Sequence, residues 1–481
     1  MAYVPPHKRH SKDVRRASPI PETLQHQFQR NMNLRASTSH KNKCGKIVYA
    51  DHAIYKWFAL GLDDDGHFPP NIHLEPISNE YLERKTGEKP LILVNSVVTE
   101  EDCKLERNCS KSPWEIIAEN VHQELLSSFE ILRKEMDDQG SEKVKHTFSA
   151  GLGKFLFHGT KLPEVGIEFL NILTHYIVDI IYCRNPSMRL QSVNKIQVEE
   201  AILRQLYRSL YNNIPSSYME NIVDGVVPAI GVDFEEEKDV YTVKLSDNTR
   251  PDATVSCKCI LLENEKLDLY KAGFVLPRVF SSYSPLVELN QVRHMVIDVS
   301  CLDKNLDLRL MLCSRKILTA LTDDEMNSLR DLINSAVVDS DMKGGLKWPL
   351  GKASSGGRYR VVGAWHTITK VYRSSSFRLK ARDADRYDFR TGIGETTREV
   401  YLNLKRIVSE IQASSYIGSV SDPRNKRLNY ILTELTDLTD LQHCLVVVPE
   451  PGAESDSISK MLEDSLRLIW DKFLSCERFL T

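Results

Sequence analysis

Hydrophobic and polar positions follow two different patterns along this chain. In the first half, apolar residues recur mainly at helical spacing, whereas from Val240 onward β-branched residues dominate and alternate with polar ones, as in strands. The predicted helices lie at 112–132, 167–183, 198–211, 322–336, 396–413 and 457–474. The predicted strands lie at 240–245, 254–262, 292–299, 308–312, 359–366, 377–382 and 444–448.

Two of the predicted helices have clear starting signals. Ser112-Pro113-Trp114-Glu115 combines a capping serine, a proline suited to the first helical position and a glutamate that can reach back to the cap amide. Thr322-Asp323-Asp324-Glu325 has the same Ser/Thr and Glu spacing. The stretch 167–183 is the most apolar, but polar residues interrupt it, so its pattern predicts a core helix and not a membrane span.

These patterns predict an α+β fold, with mixed α/β as the alternative. Residues 1–45 show no sustained apolar periodicity and are rich in Pro, Ser, Asn, Lys and Arg, so we expect a disordered basic arm. We expect a helix-rich lobe at 46–235 and a sheet-rich lobe at 236–481, which contains a basic block at 343–390.

The net charge hides the charge distribution. The 481 residues include 63 Lys and Arg against 66 Asp and Glu, a formal charge of −3. Residues 1–47 carry +8 and residues 343–390 carry +9, so subtracting both from −3 leaves −20 for the remainder. This separation favours an anionic partner for the basic segments, although the acidic remainder could also hold the arm within the molecule.

The basic block alternates cations with aromatic or aliphatic residues on predicted strands. Such a strand can present a row of cations to a phosphodiester backbone, with Trp or Tyr available to stack on unpaired bases. The alternative is that its aromatic residues are core residues and its cations pair with acids of the body. The candidate nucleic-acid-binding residues are Lys347, Trp348, Arg358, Tyr359, Arg360, Trp365, Arg373, Arg378, Lys380, Arg382 and Arg386.

The common catalytic motifs are missing or incomplete. Gly151-Leu152-Gly153-Lys154 lacks the first glycine and the Ser or Thr of a phosphate loop, so we interpret it as a turn before a buried strand. His158-Gly159-Thr160 lacks the second element of a two-histidine phosphodiesterase. The ten cysteines are scattered without zinc-site spacing. We therefore expect no cofactor and no metal, and a non-catalytic role is favoured, with enzymatic activity left open.

One alternative does involve catalysis. Asp298 on an apolar strand, with Arg309 and Lys316 on or beside the next strand, is similar to the carboxylate-plus-lysine layout of nuclease sheets. Asp339-x-Asp341 and Asp383-x-Asp385 could likewise present paired carboxylates to magnesium. The second hypothesis is thus an enzyme acting on nucleotide or nucleic-acid phosphates with a degenerate nuclease-like sheet.

Several segments resemble known families. The start MAYVPPHKRH, together with KGGLKWPLG at 343–351 and ADRYDFRTG at 384–392, resembles an uncharacterised family of land-plant proteins, which implies a plant source. The element Tyr3 to Arg9 is similar to the YVPPHLR-type element in the arms of DEAD-box RNA helicases. That resemblance implies docking to a protein partner through the residues Tyr3, Pro5, Pro6, His7 and Arg9.

The arm also carries a candidate phosphorylation site. Ser18 follows Arg15-Arg16-Ala17 and precedes Pro19, and a phosphate there would add about −1.5 to −2 to a segment of +8. Such a modification would weaken electrostatic binding by the arm.

The leading hypothesis is a non-catalytic RNA-associated or ribonucleoprotein-interacting protein that binds phosphate backbones through the arm and the basic block. A third hypothesis is a scaffold whose acidic body binds basic proteins. With no apolar run near the roughly 20 residues of a membrane helix and no secretory signal, we expect a soluble protein of the nucleus, the cytoplasm or both.

Overall fold

The computed structural model describes most of the chain after the arm. The described residues are 47–60, 72–95, 111–138, 143–158, 196–197, 203–204, 206–261, 267–269, 271–273, 283–285, 287–289, 291–318, 321–355, 358–419 and 453–475. They belong to one compact unit within Asn42–Thr481. The arm, the predicted helix at 167–183 and the predicted strand at 444–448 lie outside the described residues.

The described chain contains both helices and a large mixed sheet, so the α+β prediction is confirmed at this level. The strands are β1 (Val48–Leu60), β2 (Ile72–Pro76), β3 (Leu91–Asn95), β4 (Lys143–His158), β5 (Ile196–Gln197), β6 (Tyr207–Tyr211), β7 (Asp233–Asp247), β8 (Arg250–Leu261), β9 (Leu267–Leu269), β10 (Lys271–Gly273), β11 (Tyr283–Pro285), β12 (Val287–Glu288), β13 (Val292–Cys301), β14 (Asp307–Ile317), β15 (Val337–Val338), β16 (Leu346–Lys347), β17 (Ser354–Ser355), β18 (Tyr359–Arg373), β19 (Arg378–Asp388) and β20 (Ile393–Asn403). The helices are α1 (Glu80–Thr86), α2 (Pro113–Asp138), α3 (Ser216–Glu220), α4 (Val227–Ala229), α5 (Asp323–Asn334), α6 (Lys405–Ser419) and α7 (Ala453–Lys472), with a π-helical turn at Asn221–Val226 between α3 and α4.

Eight strands of the sheet pair into a closed ring. From β14, hydrogen-bonded pairing runs through β12, β8, β7, β18, β19 and β20 to β4, and β4 pairs again with β14. Each of these pairings is antiparallel. The β4–β14 ladder that closes the ring extends from Gly153 opposite Asp307 to Lys143 opposite Ile317. We call these eight strands the ring.

Further strands extend the sheet from the ring. β13 pairs with β14, and β1 pairs in parallel with β13. β6 and β3 pair with β4, and β2 and β5 continue from β3. Since β4 pairs with β14 and β20, hydrogen bonding crosses the boundary predicted near residue 235.

The two faces of the ring differ in polarity. On β19, Leu379 and Ala381 belong to the main hydrophobic core, whereas the alternating Lys380 and Arg382 point to the opposite face. The same core contains Leu402 of β20 on its apolar side. The apolar outer face of these strands therefore packs against helices, and the inner face is polar.

Two helices, α2 and α5, start where the sequence predicts. In α2, the Ser112 amide donates to the Glu115 carboxylate at 2.9 Å. In α5, the Thr322 side chain accepts from the Glu325 amide, and the Glu325 side chain accepts from the Thr322 amide, which completes a capping box. The helical spacing in α2 is also confirmed, because Ile117, Val121, Leu125 and Leu132 are all buried in the main core.

Three sequence predictions are wrong at the level of secondary structure. The predicted helix at 198–211 ends in a strand, because Tyr207–Tyr211 pairs with β4. The predicted helix at 396–413 begins only at Lys405, because Ile393–Asn403 forms β20 in the ring. Gly151-Leu152-Gly153-Lys154 is not a turn: it lies inside β4, where pairing with β14 and β20 keeps the backbone extended. In each case long-range pairing overrides a local pattern.

Within the ranges given above, none of the helices is both long and apolar enough to span a membrane.

Candidate anion-binding site

The inner face of the ring concentrates positive charge. Strand alternation and ladder register place seven cations on this face: Lys145 of β4, Lys244 of β7, Lys258 of β8, Arg315 of β14, and Lys380, Arg382 and Arg386 of β19. These residues come from five different strands, and the charges of Lys145 on β4 and Lys258 on β8 both contribute to lowering the pKa of Lys380. The ring therefore directs cations from strands that are not neighbours to one face.

Two buried glutamates neutralise part of this charge. Glu399 of β20 accepts a hydrogen bond from Arg386 and lies 3.7 Å from Arg382. Glu288 of β12 lies 3.1 Å from the Lys258 ammonium. Each glutamate therefore serves two cations, because Glu288 also contacts Arg315.

Glu288 is held in its ionised form by these contacts. Burial alone would raise its pKa, but Lys258 and Arg315 outweigh burial and lower the pKa of Glu288 to about 2. This carboxylate is therefore committed to the cations around it at neutral pH.

Lys380 has no such carboxylate. Its side chain makes no ion pair with any described residue, and its strand neighbours opposite are Val371 and Tyr401. Burial lowers the pKa of Lys380 well below the ordinary lysine value, and the charged neighbours that add to the shift are all cations. A charge that is both desolvated and surrounded by like charges is stabilised by an anion.

A second unsatisfied group lies beside a pair of cations. The indole ring of Trp365 lies 4.3 Å from the Lys244 ammonium and 5.4 Å from the Arg386 guanidinium carbon. Its Nε1 is buried and finds no hydrogen-bond acceptor among the described residues. Burial, together with Arg315, lowers the pKa of Lys244 to about 7. This group of residues offers one further N–H donor and a cation whose charge depends on pH.

One side of the interior is closely packed. Asn212, which follows β6, donates from Nδ2 to Glu399 at 2.9 Å and to the Tyr401 hydroxyl at 2.6 Å. A Cβ at Gly151 would lie 3.2 Å from the Tyr401 ring and a Cβ at Gly153 only 2.4 Å from the Tyr211 carbonyl oxygen. Glycine is required at Gly153 because backbone approaches there, which is a reason for the glycines that differs from the phosphate-loop motif.

The candidate residues from the sequence are divided among several environments. Trp365, Lys380, Arg382 and Arg386 all lie on the inner face of the ring, with Trp365 opposite Arg386 and Lys380 opposite Val371 further along the same ladder. Arg373 and Arg378 both contact Glu235 near the start of β7. Lys347 pairs with Asp339 at 2.7 Å, and Arg360 is exposed at the start of β18.

Two candidate aromatic residues pack in the cluster under α5, where Tyr359 is buried and Trp348 is half-buried. Tyr359 is 1% exposed in the cluster under α5, beside Arg358, which contacts Glu325 and Asp247. The Trp348 indole donates to the Leu332 carbonyl at 3.0 Å. The candidates Tyr3, Pro5, Pro6, His7, Arg9 and Ser18 lie outside the described residues.

Sequence reasoning missed most of the charged residues of the interior. Those outside the selected basic block are Lys145, Lys244, Lys258, Arg315, Glu288 and Glu399, of which only Lys244 and Lys258 lie on predicted strands. Their polar positions alternate with buried apolar ones, as in Val243-Lys244-Leu245. That alternation indicates a strand with one polar face. It does not indicate which other strands that face meets in the folded protein.

The nuclease-like arrangement is not formed by Asp298. Arg309 donates from Nε and from a terminal nitrogen to the two Asp298 oxygens at 2.6 and 2.8 Å, and Tyr55 also donates to this carboxylate at 2.8 Å. Lys316 lies on the opposite face of β14, one residue from Arg315. Among the described residues, no group of three or more His, Cys, Asp or Glu side chains could hold a metal ion.

The fold and the site define an α+β protein with a closed ring of antiparallel strands and a cationic interior. The chain belongs to the family described as Domain of unknown function (DUF7903), whose model matches residues 41–173 and 168–434. A search among curated proteins finds no match.

Two solved structures from S. pombe show a low similarity. The chain is similar to the structure of Pct1 RNA triphosphatase, with a TM-score of 0.34, 8% identity, and coverage of 76% of this chain and 93% of that chain. It is also similar to Pct1 RNA triphosphatase in complex with the Spt5 CTD, with a TM-score of 0.35, 8% identity, and coverage of 78% and 98%. Values this low do not establish a shared function.

Proposed function

We propose that this protein binds a phosphate-rich anion inside the ring and acts as a non-catalytic RNA-associated protein of the nucleus, the cytoplasm or both. The observation that carries the proposal is Lys380 on the inner face of the ring, a half-buried ammonium with cations around it and no carboxylate partner among the described residues. Phosphate oxygens would replace the missing negative charge and accept hydrogen bonds from Lys380.

The geometry favours a compact anion. A closed ring of eight strands has an interior that side chains fill or that holds one small ligand. Part of this interior is already occupied by the Asn212, Glu399 and Tyr401 network. A short chain of phosphates, free or at the end of an RNA, suits such a space better than a length of RNA backbone.

The arm has a separate part in this proposal. The net charge of +8 over residues 1–47 would supply non-specific phosphate contacts that are sensitive to salt, and the first residues of the arm would dock to a protein partner. These contributions concern residues outside the described structure and rest on the sequence alone.

Isothermal titration of the full-length protein with inorganic tripolyphosphate tests the ring directly. We expect binding that weakens as salt is raised, and we expect Lys380→Met to lose roughly 10- to 100-fold in affinity, the range for a hydrogen bond to a charged group. Lys370→Met is the matched control, because Lys370 lies on the neighbouring strand but is exposed on the outer face.

Two results would overturn this proposal. One is the absence of tripolyphosphate binding at low salt. The other is an equal affinity of Lys380→Met and Lys370→Met.

Association with RNA is tested separately, by comparing the binding of one short RNA with a 5′-triphosphate and with a 5′-hydroxyl. We expect the RNA with the 5′-triphosphate to bind more tightly than the RNA with the 5′-hydroxyl. This difference in affinity should disappear in Lys380→Met.

A further inference from the structure

A second group of aromatic and cationic residues lies on the strands that extend from the ring. Tyr49, Tyr55 and Trp57 of β1 are opposite Arg293, Val296 and Asp298 of β13, and Asp298 is opposite Arg309 of β14. The face is the polar one, because the alternating residues Met295, Ile297 and Val299 belong to the main core. Tyr207 and Arg208 of β6 approach the same residues.

Two tyrosines of this group are exposed and stand near one arginine. Tyr55 is 39% exposed and Tyr207 is 37% exposed, although both are attached to strands with buried neighbours. Burial raises the pKa of each phenol, and the positive charge of Arg309 acts on both in the opposite direction. Tyr55 and Arg309 both hydrogen-bond to Asp298.

Tyr55 is held in place by a buried ion pair. Its hydroxyl donates to Asp298 at 2.8 Å, and Asp298 is fully buried against Arg309. A tyrosine fixed by its hydroxyl keeps its ring in one orientation, so less conformational entropy is lost when another ring stacks on it. The guanidinium carbon of Arg309 also lies 5.4 Å from the centre of the Phe155 ring, so a second side chain packs against this guanidinium.

The group carries a net positive charge. Asp298 neutralises Arg309, whereas Arg208 and Arg293 have no carboxylate partner in the described structure. Arg208 lies 4.8 Å from the Trp57 ring and donates to the Leu203 carbonyl at 2.9 Å. Arg293 donates to the Tyr49 hydroxyl at 2.7 Å, and the Nε of both arginines is buried without an acceptor.

We propose that this Tyr55–Tyr207 surface binds unpaired bases of single-stranded RNA, which stack on the two tyrosine rings while Arg208 and Arg293 face the adjoining phosphates. Exposed aromatic rings beside cations are the combination that single-stranded nucleic acid needs, because every base has a face that can stack and every linkage carries a charge. The inference rests on the RNA association proposed above, but on residues outside the ring.

The test uses the full-length protein and a short oligoribonucleotide with a 5′-hydroxyl, which lacks the terminal phosphates that the ring would bind. We expect Tyr55→Ala and Tyr207→Ala each to weaken binding by roughly 5- to 150-fold, which corresponds to the loss of one base stack. Tyr55→Phe keeps the ring and should bind within about threefold of the wild type, because only the hydroxyl is lost. Phe234→Ala is the matched control, since Phe234 is 58% exposed on β7.

A fully paired duplex of the same sequence should bind more weakly than the single strand, because its bases are already stacked. Single-strand affinity that is the same in Tyr55→Ala, Tyr207→Ala and the wild type would overturn the inference and leave RNA association through the arm intact. The titration with tripolyphosphate separates the two sites, because Tyr55→Ala should bind it as the wild type does. Loss of tripolyphosphate binding in Tyr55→Ala would contradict the assignment of two separate sites.

Discussion

Lys370 and Lys380 belong to the same basic block and lie on adjacent strands, but they face opposite sides of the ring. Lys370 is opposite Ala381 and is exposed on the outer face. Lys380 is opposite Val371 and lies inside, with Arg382, Lys145 and Lys258 as charged neighbours. The comparison shows that the net charge of a segment does not indicate which of its cations are desolvated and lack a counter-charge. On that ground we propose the anion site at Lys380 and not at Lys370.

The largest expected effect on the free energy of unfolding comes from a substitution on the outer face of β19. Leu379 is fully buried in the main core, one residue before Lys380. We expect Leu379→Ala to lower the free energy of unfolding by about 2–5 kcal/mol, because it leaves a cavity between strand and helices. Urea denaturation followed by circular dichroism measures this value. A loss below about 1 kcal/mol would mean that this face is not packed as described.

A substitution on the inner face of β19 should change the free energy of unfolding in the opposite direction. Lys380→Met removes a desolvated charge but keeps the length of the side chain, so we expect the free energy of unfolding to rise by about 1–2 kcal/mol. The same urea series measures it, with Lys370→Met changing stability by less than about 0.5 kcal/mol. If Lys380→Met were clearly destabilised, its ammonium would have a stabilising partner and would not await one.

Leu379 and Lys380 show which features of the fold can be predicted from the sequence. The alternation Leu379-Lys380-Ala381-Arg382 predicts a strand with one apolar and one cationic face, and the capping patterns at Ser112 and Thr322 predict helix starts that the structure confirms. The pattern does not say whether the cationic face is exposed or enclosed.

Enclosure depends on ring closure, which joins distant parts of the chain. β4 and β14 are separated by more than a hundred residues, and the pairing partner of a strand is not encoded in its own alternation. Glu288 meets Lys258 and Arg315 because the short strand β12 pairs with both β8 and β14. Glu399 meets Arg382 and Arg386 across the β19–β20 pairing. Tyr359, a stacking candidate from the sequence, lies buried under α5, and the pattern of its own strand does not specify that packing.

The smallest expected effect is a dependence on pH. The pKa of Lys244 is lowered from 10.5 to about 7, so the folded protein binds fewer protons than the unfolded chain between these values. Stability should therefore rise with pH across this window. Tripolyphosphate affinity should change in the opposite direction and fall severalfold from pH 6 to pH 8, because Lys244 loses its charge.

Lys244→Met provides the control for that measurement, since titration of the ligand itself is the same for both proteins. The difference in affinity between wild type and variant should be larger at pH 6 than at pH 8. A difference that does not change with pH would show that Lys244 is not the titrating group.

The most direct test of the central claim is a crystal structure of the full-length protein with tripolyphosphate. We predict phosphate density inside the ring, with oxygens about 3 Å from the Lys380 ammonium. Phosphate bound only to outer-face residues such as Lys370, with the interior unchanged, would contradict it.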